Sequence, residues 1–204
     1  MKLIYSPGAC SIGIHVLLEE IGRPYEAEAT KLQLPVPERP LTKVNPKSKV
    51  PTLVRDDGSV LTEFAAIAYY LAKTNPEKQL LPADTESEVR ALETMDYCVS
   101  TVHMRGFSRL FGPGNYAPNE SDYDTVKARG REMVQRGFEL LDKALDGQDY
   151  VVGRFSVADA ALFYVEFWGA DRMNMTLPPA LAGHLARMKA RPAVAATLKA
   201  EGFA

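Results

Sequence analysis

Cysteine is scarce in this chain: 204 residues hold two, Cys10 and Cys98. Two thiols cannot make a disulfide scaffold, so a reducing cytoplasm is the expected setting and Cys10 is left free for chemistry. Long apolar runs are missing as well. None approaches the ~18–20 residues that cross a bilayer, and Pro7-Gly8 interrupts the opening Met1-Lys2-Leu3-Ile4-Tyr5 before a signal-peptide core could form. No membrane partner is expected. Nor is there an excess of either charge: 24 Lys and Arg stand against 26 Asp and Glu, a net of -2. Nucleic-acid binding leaves a basic stripe, and that partner is not expected either. A phosphate-cradling glycine loop and a nucleophilic triad are both absent. Cys98, His15, His103 and His184 have no metal-ligand spacing, which argues against a zinc site.

What is present divides in two. Over the first 73 residues strand and helix signals alternate. Lys2-Leu3-Ile4-Tyr5 reads as a buried strand closed by Ser6-Pro7-Gly8. Ile14, Leu17, Leu18 and Ile21 follow at helical spacing, one apolar face, with Gly22 and Pro24 placed to end the helix. Tyr25 to Thr30 reads as a second strand. The prolines of Leu34-Pro35-Val36-Pro37-Glu38-Arg39-Pro40 remove backbone donors and predict an exposed loop. Val50 to Val54 and Val60 to Thr62 flank Asp56-Asp57-Gly58, a hairpin signal, and Phe64, Ile67, Ala68 and Leu71 mark a second helix. Beyond Asn75-Pro76 to Leu81-Pro82, a polar linker bounded by prolines, strand signals nearly vanish. Helix patterns cover about 85–111, 121–145, 156–170 and 180–200, with breaks at Gly112-Pro113-Gly114 and Pro178-Pro179. The expected organisation is an α/β domain over 1–76, a linker over 77–84 and an all-α domain over 85–204.

The chemistry centres on Cys10. Between a strand-ending turn and a helix start, a thiol faces unpaired amides and the positive end of the helix dipole, both of which favour thiolate. Cys10-Ser11-Ile12-Gly13 resembles a thioredoxin redox motif without its second cysteine, which disfavours dithiol cycling and leaves a mixed disulfide open. Position alone does not choose between this and a packed residue at a helix cap. Val50-Pro51 opens a strand with a residue that cannot donate, which is useful where Val50 presents its backbone to an extended thiol ligand, and otherwise marks a sheet edge. Thr62-Glu63-Phe64 ends a strand and opens a helix, where amides can hold a carboxylate and Glu63 an ammonium; an acidic residue that simply favours the first helical turn is the commoner case. Ser156 and Asp159 form a capping box, a structural device rather than a catalytic dyad. His103 lies on a helix among aromatic and basic neighbours, a setting that a structural histidine also occupies.

Taken together these residues resemble the bacterial beta-class glutathione transferases nearly end to end. Six segments stand in that family's order: Met1-Lys2-Leu3 through Cys10-Ser11, Val44-Asn45-Pro46-Lys47 through Val50-Pro51, Leu61-Thr62-Glu63, Val102-His103, Ser156 to Ala160, and Arg191-Pro192. The resemblance implies a thioredoxin-like N-terminal domain, an all-helical C-terminal domain, a homodimer, and glutathione as co-substrate with no metal. It implies that Cys10 contacts the glutathione sulfur, that His103 approaches it from the helical domain, and that Ser11 supplies a nearby hydroxyl. Val50 would pair with the cysteinyl unit before a cis Pro51, while Glu63 and the amide of Phe64 hold the γ-glutamyl end. Asp96 would reach across the dimer, and Arg105 would supply the basic group near the histidine. The chain departs from the family at Phe64, where Ser or Gly is usual, at Pro35-Val36-Pro37, where a basic residue is usual, and at Met104, which displaces the basic residue to 105. The activity implied is conjugation of glutathione to a hydrophobic electrophile, a detoxification chemistry. The alternatives are glutathione-dependent reduction through a Cys10 mixed disulfide, and a non-catalytic binding module.

Overall fold

A computed structural model describes residues 1–145 and 147–203. They form two compact units: Met1–Ala83 together with the chain from Arg187 onward, and Asp84–Ala186.

The first unit is built on strands β1 (Lys2–Tyr5), β2 (Glu26–Ala29), β3 (Thr52–Val54) and β4 (Val60–Thr62). They form one mixed sheet of four strands in the order β2-β1-β3-β4. β1 runs parallel to β2, with Leu3 opposite Ala27, and antiparallel to β3, with Leu3 opposite Leu53. The hairpin expected around Asp56-Asp57-Gly58 joins β3 to β4, with Gly58 at φ 79° in the turn. Helix α1 (Ser11–Ile21) returns the chain from β1 to β2, and Gly22 at φ 70° ends it by donating to the Leu18 carbonyl. Helix α2 (Phe64–Thr74) buries the anticipated stripe of Phe64, Ile67, Ala68 and Leu71.

Two expectations are corrected here. A single apolar face was expected on α1, yet Ser11 through Leu18 are all buried. The cause lies at the far end of the chain: α8 (Pro192–Glu201) packs on α1, and Arg191 Nε binds Glu20 Oε1 at 2.6 Å. The residues from Arg187 onward group with the first unit. The helix pattern expected over 180–200 is divided into two helices, α7 (Pro179–Lys189) and α8, because Pro192 has no N–H to continue the ladder and suits a helix start.

In the second unit, Asp84 caps α3 (Thr85–Asp96) by accepting from the Ser87 amide at 2.8 Å. The chain then passes into a π-helical stretch, Tyr97–Phe107, and into α4 (Ser108–Phe111) before the Gly112-Pro113 break. The extent matches the helix expected over 85–111; the wider turn was not foreseen. Helix α5 (Tyr123–Ala144) packs on that stretch through glycines. A Cβ at Gly137 would fall 2.7 Å from Val102, and one at Gly130 would fall 2.9 Å from the Gly106 carbonyl oxygen, so the backbones approach closely only without side chains there. Every residue of α6 (Val157–Phe167) is buried. Its capping box forms as expected, the Ser156 amide donating to Asp159 Oδ2 at 2.7 Å and the Ala158 amide to Ser156 Oγ at 3.3 Å. No helix among the described residues is long and apolar enough to cross a membrane.

Candidate active site

In the first unit the turn after β1 delivers Cys10, half-buried, to the residue that precedes α1. Gly8 makes the turn possible at φ 68°. Ser11 fastens it: Ser11 Oγ lies 3.3 Å from the Ser6 amide and 3.4 Å from the Ser6 carbonyl oxygen. Its hydroxyl is buried and spent on the turn. A second fastener comes from α8. The Glu201 carboxylate accepts from the Gly8 amide at 2.8 Å and meets His15 Nδ1 at 2.8 Å with its other oxygen. Nothing in the sequence marks this contact, since its partners stand 193 and 186 positions apart.

Opposite Cys10 stands Val50. The thiol donates to the Val50 carbonyl oxygen at 3.4 Å, and the Val50–Pro51 bond is cis, as anticipated. The loop before it is held from within. Asn45 Nδ2 donates to the Lys49 carbonyl and to Thr52 Oγ1, each at 2.9 Å. Arg39, at the end of the proline loop, donates to the carbonyls of Leu34 at 2.8 Å and Ser48 at 3.1 Å. The prolines thus belong to an ordered loop that Arg39 ties to Ser48, two residues before Val50.

Glu63 opens α2 with φ 73°, an unusual conformation for a residue with a Cβ. Its exposed carboxylate holds the Lys47 ammonium at 2.6 Å, and Lys47 also donates to Thr62 Oγ1 at 2.9 Å. The bulk of Phe64 is buried at the foot of the helix.

The electrostatics of Cys10 differ from the sequence-based expectation. Burial pushes its thiol up to about 12, against the downward pull of the Cys10 and Ser11 amides and of Lys49, with Glu63 adding to the rise. The helix start does favour thiolate, as argued, but desolvation outweighs it. Cys10 keeps its proton at neutral pH and acts as a donor.

The second unit carries the other anticipated residues. Asp96 is exposed at the end of α3, within 3.5 Å of Ser100 Oγ. His103 is half-buried on the π-helical stretch; its Nδ1 lies 3.4 Å from the Tyr164 hydroxyl and its ring meets Trp168 edge-on at 4.7 Å. Arg105 is exposed two residues on, its carbonyl bonded by Arg109. Phe107 and Phe111 stack at 5.8 Å and both meet the Trp168 ring.

Residues 8–74 match the family model for the glutathione S-transferase N-terminal domain. Over the full length of both chains, the protein is 36% identical to glutathione S-transferase GstA of Escherichia coli O157:H7. Among solved structures, a sphingomonad glutathione S-transferase complexed with glutathione is 38% identical, with all of both chains covered and a TM-score of 0.84. A bacterial beta-class glutathione S-transferase of Sphingomonas chungbukensis is 33% identical over all of both chains, also with a TM-score of 0.84.

Proposed function

This chain belongs to the glutathione S-transferase family, and we propose that it couples the thiolate of glutathione to small hydrophobic electrophiles, with Cys10 and His103 at the sulfur. It is a glutathione transferase with glutathione as its co-substrate; the electrophile and the residue roles are the proposal. The observation that carries it is the Cys10 thiol set 3.4 Å from the Val50 carbonyl beside a cis proline. An extended thiol peptide that pairs with the Val50 backbone brings its own sulfur to that thiol. A protonated Cys10 donates its S–H to the incoming thiolate and so stabilises the charge without competing as a nucleophile. Glu63, which already holds an ammonium, takes the α-amino group of the γ-glutamyl end in exchange for Lys47. The amide of Phe64 holds that end's carboxylate, Pro51 fixes the strand start, and Ser11 keeps the turn in place.

His103 approaches the sulfur as second donor, and Arg105 supplies positive potential close by. The exposed apolar side chains of Met104, Phe111 and Tyr116 suit a hydrophobic electrophile. Two copies assemble as a homodimer in the cytoplasm, with Asp96 reaching toward the second copy. The mixed-disulfide alternative is less favoured, because a cysteine that holds its proton attacks a disulfide slowly. Calorimetric titration with glutathione tests the reading. Sub-millimolar binding that weakens in Cys10→Ala, followed by turnover in a panel of hydrophobic electrophiles, supports it; no binding by the wild type removes it.

A further inference from the structure

Resting on the reading that His103 stands at the glutathione sulfur, we infer that Tyr164 is a positioning residue which holds the His103 ring in the tautomer with its proton on Nε2. Tyr164 is fully buried near the end of α6, and a buried tyrosine hydroxyl finds a hydrogen-bond partner. Its oxygen lies 3.4 Å from His103 Nδ1. Between a phenol and a neutral imidazole the ring nitrogen is the better acceptor, so the phenol donates and Nδ1 carries the lone pair. The hydrogen bond at one imidazole nitrogen decides which nitrogen is protonated. With Nδ1 accepting, the N–H is on Nε2, and the ring can donate to a thiolate without first becoming a cation.

The ring is also fixed in orientation. Trp168 meets it edge-on with centroids 4.7 Å apart and planes at 88°, and Tyr164 meets it at 5.8 Å and 82°. Tyr164 and Trp168 are one helical turn apart and touch each other at 5.0 Å, so a single face grips the ring on two sides. His103 itself sits on π-helical backbone, a geometry that recurs where a side chain is placed for function.

The test uses protein labelled with 15N in its three histidines, the His103 signals being assigned by their loss in His103→Gln. At pH 8, without glutathione, long-range 1H–15N spectra of the wild type are expected to show Nε2 protonated and Nδ1 bare, and Tyr164→Phe is expected to move His103 to a mixture of tautomers. A wild-type ring protonated on Nδ1 overturns the inference without need of any variant, and so does a spectrum unchanged in Tyr164→Phe. In turnover, Tyr164→Phe should lower kcat/KM for glutathione roughly tenfold, and should lower it no further in a His103→Gln background. Equal losses in both backgrounds overturn a role exerted through His103. If the tautomer shifts as expected while His103→Gln leaves turnover unchanged, the placement of His103 at the sulfur fails and the hydrogen bond stands.

Discussion

Each unit buries one histidine against carboxylates, and the two clusters hold different things. In the first, Glu201 binds His15 and the Gly8 amide, and so ties α8 to the turn that carries Cys10. In the second, His184 lies between Asp159, 3.2 Å from Nε2, and Glu166, 2.8 Å from Nδ1. Asp159 also accepts from the amides of Ser156 and Val151, at 2.7 and 2.9 Å. The second cluster joins a helix cap, a preceding loop and α7. Similar chemistry thus serves stability in one unit and the geometry of a reactive turn in the other. Changes to the second cluster should move stability alone, and changes to the first should move stability and glutathione binding together.

The largest effect is expected from Asp159→Ala. It removes acceptors from two amides and leaves a buried His184 with one carboxylate, a loss of about 3–5 kcal/mol. Denaturant unfolding should show it, and calorimetry on the fraction that remains folded should give wild-type glutathione affinity. Weakened affinity in that fraction would erase the contrast between the clusters.

Next in size is the pH dependence that His184 imposes. Burial pulls its pKa down, but the hydrogen bonds and charges of Asp159 and Glu166 more than reverse this, raising it to about 9. Because the folded state holds the proton more tightly than the unfolded state, the contribution is fully present below the ordinary value near 6.5 and is lost as pH rises through about 9. Over that window the wild type should lose about 3 kcal/mol of stability, and His184→Gln should lose far less. Urea midpoints at pH 6.5 and 9.5 for the two proteins measure the difference; parallel losses would show that other groups set the slope.

Glu201→Gln is expected to cost about 1–3 kcal/mol, since an amide keeps one acceptor where a carboxylate offered two. Here glutathione binding should fall too, by roughly fivefold, which is about 1 kcal/mol. A stability loss with unaltered binding would make this cluster the equivalent of the other.

The difference in reach also explains what the sequence discloses. The capping box, the hairpin and the stripe on α2 are local patterns, written within a few residues of one another, and each forms where its spacing puts it. Cys10 and Val50 are distant in sequence, yet each carries its own local mark, a helix start and a strand-opening proline. Glu201 carries none. A glutamate near the end of an exposed-looking helix becomes buried only because α8 folds back on α1, and the same event hides the polar side of α1. The thiol pKa escapes for a related reason: the amides that lower it are local and legible, while the burial that raises it is a property of the folded unit. The π-helical turn at His103 packs against glycines of α5 that lie dozens of residues away, and no local pattern marks it.

The smallest effect on stability, and the sharpest contrast with the buried clusters, belongs to Lys47 and Glu63. Both side chains are more than half exposed, at 56% and 68%, so water screens the pair and Lys47→Met should change stability by under about 1 kcal/mol. Its effect on binding should have the opposite sign to that of Glu201→Gln. In the free protein Lys47 occupies the carboxylate that the glutathione ammonium is proposed to use, so removing it relieves a competitor, and affinity should rise by a few-fold at low salt. Added salt weakens the Lys47–Glu63 pair in the wild type and should narrow the gap between the two proteins. A lower affinity in Lys47→Met would place the lysine among the groups that hold glutathione, and Glu63 would then act with it as a pair.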